Sequence, residues 1–122
     1  MKPRISEQAI QKALLQHIRT RGVPGLFAFH PANGGFRRRT EAAILSGAGV
    51  VAGVPDLILI DQGKVYGLEL KAEGCKPTAA QNDTMGAMAQ AGVTVGWAAG
   101  LDAALAKLEE WKLLRGKACS IR

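Results

Sequence analysis

The chain has 122 residues, of which 48% are hydrophobic and 21% charged, so it can form one folded domain with one core but not two. No stretch approaches the run of about 18 apolar residues that a membrane span requires, and no apolar segment follows the basic N-terminus as in a signal peptide. Cys75 and Cys119 lack the spacing of a zinc site or a disulfide framework. We therefore expect a single cytoplasmic domain over residues 1–122, with two free thiols and no membrane association.

The net charge of +6 is unevenly distributed along the chain. No acidic residue occurs between Gln8 and Thr40, whereas basic residues are frequent there and again at the end of the chain. Such asymmetry favours a polyanionic partner, and nucleic acid is the commonest one. Aromatic residues make up only 5% of the chain, which favours contacts to the backbone of duplex or branched DNA over stacking on unpaired bases. A solvated basic surface without a partner is the alternative.

The first predicted element is an amphipathic helix over residues 5–21, with Ser6 as its N-cap. Ile10, Leu14 and Ile18 recur at intervals of four and form its buried stripe. Glu7 lies on the same stripe. The macrodipole favours an acid in the first turn of a helix, but Glu7 is also placed to reach over a sheet towards a functional site.

Further along the chain, helix and strand patterns alternate. The sequence predicts a strand at 26–29, a loop at 30–36, a helix at 37–46, a glycine-rich connection at 47–53, a hairpin at 56–71, a helix from 77 or 78 to 91, a strand at 93–98 and a last helix capped by Asp102. The predicted order is αβαββαβα. This order indicates an α/β fold with a mixed β-sheet flanked by helices, in which the helix ending at 91 joins two parallel strands.

The hairpin brings two carboxylates together. With Gln62 and Gly63 as its turn, paired positions sum to 125, so that Asp56 faces Glu69. Directly opposed side chains of like charge are destabilising, and nothing structural requires them here. Lys71, two residues beyond Glu69, points to the same face.

These residue types predict a metal site for phosphodiester hydrolysis. Two carboxylates without a nearby His or Cys suit Mg²⁺ or Mn²⁺ rather than zinc. Lys71 can activate the attacking water or neutralise developing charge, and Gln81 can orient the phosphate or the lysine. The structural alternative is a Glu69–Lys71 ion pair at a sheet edge, with Asp56 as a turn residue that starts a strand.

The pattern Pro55-Asp56 … Glu69-Leu70-Lys71 resembles the PD-(D/E)XK nuclease superfamily. With His30-Pro31-Ala32-Asn33-Gly34-Gly35 and Gln81, it is similar to the VRR-NUC family, whose stand-alone members in bacteriophages and bacteria are small. The similarity runs from residue 6 to about residue 111. Ala32 is an additional residue compared with the form of this loop that is typical of the family.

The resemblance implies a restriction-endonuclease-like fold with a defined set of site residues. Asp56, Glu69 and the Leu70 carbonyl would bind the metal, Lys71 would be the catalytic lysine, and Glu7 and Gln81 would complete the catalytic set. It also implies cleavage of branched DNA such as Holliday junctions, by a homodimer in a bacterial or phage-infected cell. Residues 42–54 and the last helix are the candidate dimer interfaces.

Other residues are secondary candidates. The expected DNA contacts are Arg37, Arg38, Arg39 and Lys76, and the alternative for Arg37 to Arg39 is the solvated start of a helix. We expect His17 to flank the core face of the first helix and His30 to pack at a strand end. A non-catalytic module that binds structured DNA, and an enzyme for another phosphodiester such as RNA or nicked duplex, stay open as alternatives.

Overall fold

A computed structural model describes residues 4–32, 44 and 46–116 of the chain. Its helices and strands are, in chain order, α1 (Glu7–Arg21), β1 (Phe27–Phe29), β2 (Leu57–Asp61), β3 (Lys64–Lys71), α2 (Ala79–Gln90), β4 (Thr94–Ala99) and α3 (Leu101–Glu110). The helix predicted over 37–46 falls almost wholly outside the described residues. No helix among the described residues is long and apolar enough to cross a membrane.

The four strands form one mixed sheet in the order β1-β2-β3-β4. β2 pairs antiparallel with both β1 and β3, whereas β3 and β4 run parallel and are joined by α2. β3 is therefore an inner strand. The predicted fold class, a mixed sheet flanked by helices with a parallel crossover, is confirmed.

The β2–β3 hairpin has the predicted turn and register. Gln62 and Gly63 both adopt positive φ angles, 52° and 79°, as a two-residue type I′ turn requires. Ile58 pairs with Gly67 and Leu57 with Leu68, so that paired numbers sum to 125 as expected. This register places every second residue of β3 on one face of the sheet.

One face of the sheet carries the hydrophobic core. Leucines of β2 and β3 pack there against α1 and α3, and the fully buried members of this cluster include Ile10, Leu14, Leu57, Leu59, Leu68, Leu70 and Leu108. Burying one such side chain contributes about 1.5–3 kcal/mol. The opposite face lies under α2, where a Cβ added at Gly67 would lie 3.0 Å from Pro55 and 3.4 Å from Met88.

Two of the three helix starts follow the sequence prediction. Ser6 caps α1 by accepting the Ala9 N–H, and Thr78 caps α2. The prediction that Asp102 caps the last helix is wrong. Gly100 is the N-cap, at a φ of 93° that favours glycine, and its N–H donates to the Lys71 carbonyl while Asp102 lies in the first turn.

Candidate active site

The C-terminal end of β3 carries two buried charged residues. Glu69 and Lys71 are 2% and 7% exposed, which is rare for these residue types unless they are paired. Their Oε2 and Nζ atoms lie 3.4 Å apart. They point away from the leucine core, towards the face that α2 covers. The ion pair of the structural alternative is present, but it lies on an inner strand and not at a sheet edge.

Asp56 lies directly before β2, and its side chain hydrogen-bonds to the other strand of the hairpin. Its Oδ2 accepts a hydrogen bond from the Leu70 N–H at 2.9 Å. In an antiparallel ladder the N–H and C=O of one residue point towards the same neighbouring strand. The Leu70 carbonyl therefore faces the β2 side, where Asp56 lies.

A cavity of about 270 Å³ opens where these segments meet. Residues from the end of β1, the connection into β2, the end of β3 and the first turn of α2 line it: His30, Pro31, Ala52, Gly53, Val54, Pro55, Asp56, Glu69 and Gln81. Three of the five residues predicted to be catalytic, Asp56, Glu69 and Gln81, thus share one cavity. Lys71 is linked to the cavity by its ion pair with Glu69, which lines it.

The surroundings of Glu69 disfavour the charged form of its carboxyl group. The pKa of Glu69 is raised from its ordinary 4.5 to about 7, first because burial disfavours the charged form and second because of the Asp56 charge. Lys71 opposes this shift through its charge and a hydrogen bond, whereas the Glu7 charge adds to it. Burial and the acidic neighbours together thus outweigh the effect of Lys71 on the pKa of Glu69.

The donor set fits a hard divalent cation. Asp56 and Glu69 offer carboxylate oxygens, and the Leu70 carbonyl faces the same side. No group of three or more His, Cys, Asp and Glu side chains that could hold a metal ion occurs in the described part of the chain. Two carboxylates with water suit Mg²⁺, which keeps most of its hydration shell, better than zinc, which needs three or four protein ligands.

Gln81 performs a structural task within the cavity wall. Its Oε1 accepts from the Thr78 N–H at 2.9 Å, while the Thr78 hydroxyl accepts from the Gln81 N–H at 3.2 Å. This capping box leaves the Nε2 amide as the polar group that Gln81 can direct to a ligand.

The other predicted site residues are more peripheral. Glu7 is exposed at the start of α1, close enough for its charge to act on Glu69. Lys76 is exposed in the connection between β3 and α2. Arg37, Arg38 and Arg39 lie outside the described residues. Cys75, the free cysteine of the described part, is partly buried, and Cys119 lies outside that part.

Sequence reasoning missed the place of His30 in this cavity. The Nδ1 atom of His30 lies 2.6 Å from the Asp56 carbonyl oxygen. The usable signal was its position one residue beyond β1, but the partner of β1 was not predicted. Only the pairing of Phe29 with Ile58 brings His30 to Asp56.

Comparisons with solved structures agree with the fold of the chain. No protein-family model and no curated protein matches the sequence. The chain is similar to a solved "VRR_NUC domain protein", with 25% identity and a TM-score of 0.76 over 94% of each chain. A second solved "VRR_NUC domain" has 20% identity and a TM-score of 0.58 over 85% of this chain and 94% of the other. The chain therefore has the fold of the VRR-NUC nuclease family.

Proposed function

We propose that this protein is a Mg²⁺- or Mn²⁺-dependent DNA endonuclease. The observation that carries the proposal is the convergence of Asp56, Glu69 and Lys71 beside one cavity, in a fold shared with VRR_NUC domains. A scaffold does not require two adjacent carboxylates, one of them buried, with a single lysine. A hydrolytic site that binds a divalent cation does.

Each residue has a defined task in this proposal. Asp56, Glu69 and the Leu70 carbonyl would hold the cation, which when bound supplies a polarised phosphoryl oxygen and an acidified water. Lys71 lowers the pKa of Glu69 and so favours its charged form, and it stabilises negative charge that develops on the phosphate. Gln81 directs its amide to a phosphate oxygen, and Glu7 adds negative potential at the edge of the site.

DNA is the proposed substrate because of the charge of the chain. A net charge of +6 favours the phosphate backbone. Lys76 lies in the connection that follows the catalytic strand, and Arg37 to Arg39 are further proposed contacts. We propose branched duplex, such as a Holliday junction, as the preferred form.

A homodimer is proposed because symmetric cleavage of a junction requires two active sites. The apolar side of α3 is already used in the core, since Ala104 and Leu108 are fully buried. Residues 42–54 are the better interface candidate, since Ile44 and Val51 in this segment are 71% and 53% exposed. Light scattering at micromolar concentration should give the mass of a dimer, and a monomeric mass would refute this part.

The test of the proposed activity is cleavage of labelled duplex, flap, fork and four-way-junction DNA with Mg²⁺, with Mn²⁺ and with EDTA. The informative variant is Asp56→Asn, because an amide oxygen can still accept from Leu70 while the charge is lost. We expect its cutting to fall at least about 100-fold. Asp61→Asn, at the far end of β2, makes the same chemical change away from the cavity and should cut like wild type.

The outcomes separate the rival functions. Metal-dependent cutting that is lost in Asp56→Asn and kept in Asp61→Asn supports the nuclease. Binding of DNA without cutting on any substrate would favour a non-catalytic module on the same fold. Preferential cutting of RNA or nicked duplex would keep the hydrolytic site and change its substrate.

A further inference from the structure

The ring of His30 is hydrogen-bonded to the backbone of a proposed metal ligand. Its Nδ1 lies 2.6 Å from the carbonyl oxygen of Asp56. A carbonyl oxygen can only accept, so Nδ1 carries the proton and donates. The two residues are 26 positions apart in the chain, and the sheet brings them together.

His30 continues the contact between β1 and β2 beyond the point at which their backbone pairing ends. The last pair is Phe29 with Ile58, so the next position of β1 faces Leu57. At this step a side chain, not the backbone, bonds to the neighbouring segment. The hydrogen bond from the imidazole thereby connects the Asp56 peptide to the end of β1.

Asp56 is consequently held at two points. Its carboxylate accepts from Leu70 on β3, and its carbonyl accepts from His30. The segment that enters Asp56 is fixed as well, since the Thr84 hydroxyl donates to the Ala52 carbonyl at 2.5 Å. The carboxylate oxygen that does not bond to Leu70 is then the one available to a cation, and its direction depends on the orientation of the Asp56 peptide.

We propose that His30 is a positioning residue that sets the orientation of Asp56 for metal binding. This inference rests on the metal site of the proposed function. His30 acts through Asp56, by donation from Nδ1, and not by direct contact with the cation or the phosphate. Loss of a group that orients a metal ligand in this way typically costs about 10–100-fold in metal affinity.

Amide isosteres distinguish the two ring nitrogens. In His30→Asn the side-chain amide nitrogen occupies the place of Nδ1, whereas in His30→Gln it occupies the place of Nε2. We expect His30→Ala to weaken Mn²⁺ binding, measured by calorimetry on the DNA-free protein, by about tenfold or more. His30→Asn should restore most of the affinity and His30→Gln should not. His17→Asn, at the other histidine of the chain, should bind like wild type.

A metal-free measurement keeps the inference separate from the proposed function. The Leu70 amide donates to the Asp56 carboxylate, so its hydrogen-exchange protection reports how well Asp56 is held. We expect this protection to fall in His30→Ala and to recover in His30→Asn. Unchanged protection and unchanged Mn²⁺ affinity in a folded His30→Ala would overturn the inference, and so would rescue by His30→Gln alone. Absence of Mn²⁺ binding in the wild type, with the protection pattern as expected, would instead refute the metal site and leave the positioning of Asp56 by His30 intact.

Discussion

Glu69 and Lys71 form a buried ion pair, 3.4 Å apart, on a strand that is paired on both sides. Removing two charges from water costs several kcal/mol, and such a pair is poor evidence for a stabilising role. Asp56 makes the arrangement still less favourable, since its charge raises the pKa of Glu69. Burial and the neighbouring acid therefore disfavour the ionised form of Glu69, and a bound divalent cation would favour it.

The first prediction concerns the stability of the metal-free protein. Because the pKa of Glu69 is about 7 when folded and near 4.5 when unfolded, the folded state binds more protons between these values. The contribution of Glu69 to the free energy of unfolding should be greatest below pH 4.5. It should fall by up to about 3 kcal/mol as the pH rises to 7. Urea unfolding in EDTA at successive pH values measures this slope.

Two variants isolate the contribution of Glu69. Glu69→Gln should remove most of the slope and be more stable than wild type at pH 7 in EDTA. Glu110→Gln, on an exposed side chain of α3, should keep the slope. The assigned pKa would be contradicted if the free energy of unfolding of the wild type, compared with that of Glu69→Gln, rose between pH 4.5 and 7.

The second prediction concerns Lys71. Lys71 lowers the pKa of Glu69 by its charge and its hydrogen bond, so Lys71→Met should raise that pKa further. Since the cation requires the ionised carboxylate, the pH midpoint of Mn²⁺ binding should move upwards in this variant. Calorimetry at several pH values measures the midpoint. Lys64→Met, at the exposed start of the same strand, is the matched control, and an unchanged midpoint in Lys71→Met would contradict the coupling.

Much of this architecture is local and could be predicted from the sequence. The Gln62-Gly63 turn fixes the register of the hairpin, and this register places Glu69 and Lys71 on one face. The capping chemistry of Ser6 and Thr78 sets the starts of α1 and α2. These features depend on neighbours in the chain, which is why patterns reveal them.

Other features depend on contacts between distant residues. Gly100 is the N-cap of α3 and its N–H donates to the Lys71 carbonyl, a long-range bond that the Asp102 pattern does not reveal. The contact of His30 with Asp56 likewise follows from the pairing of β1 with β2. The burial of Lys71 depends on the packing of the whole fold, and alternation within β3 gives only its face.

The third prediction separates the two tasks of Gln81. Gln81→Glu keeps an oxygen that can accept from the Thr78 N–H, but it replaces the amide group of this cavity-lining side chain with a negatively charged carboxylate. We expect near wild-type thermal stability with cleavage reduced at least tenfold, because the substrate phosphate is repelled. Gln81→Ala should lose both cleavage and about 0.5–1 kcal/mol of stability.

Thr78→Ala provides the complementary control for Gln81. It removes the reciprocal side of the capping box, so it should destabilise α2 by about 1 kcal/mol. Its cleavage rate below the melting transition should stay near wild type because the Gln81 amide remains. Equal rates in Gln81→Glu and wild type would show that the amide does not act on the substrate.

The fourth prediction concerns the backbone that leads into Asp56. Gly53 has a φ of 84°, and a Cβ at this position would lie 2.5 Å from the Ala80 carbonyl oxygen. Gly53→Ala should therefore cost about 1–3 kcal/mol from the positive φ alone, and more from the forced displacement of α2. Because displacement of this segment also moves Asp56, Mn²⁺ affinity should fall together with stability. Gly63→Ala, at a φ of 79° with no atom within 4 Å of the added Cβ, isolates the backbone strain and should leave Mn²⁺ affinity unchanged. Equal losses of stability in the two variants, with normal affinity in both, would show that the packing of Gly53 against α2 does not position the site.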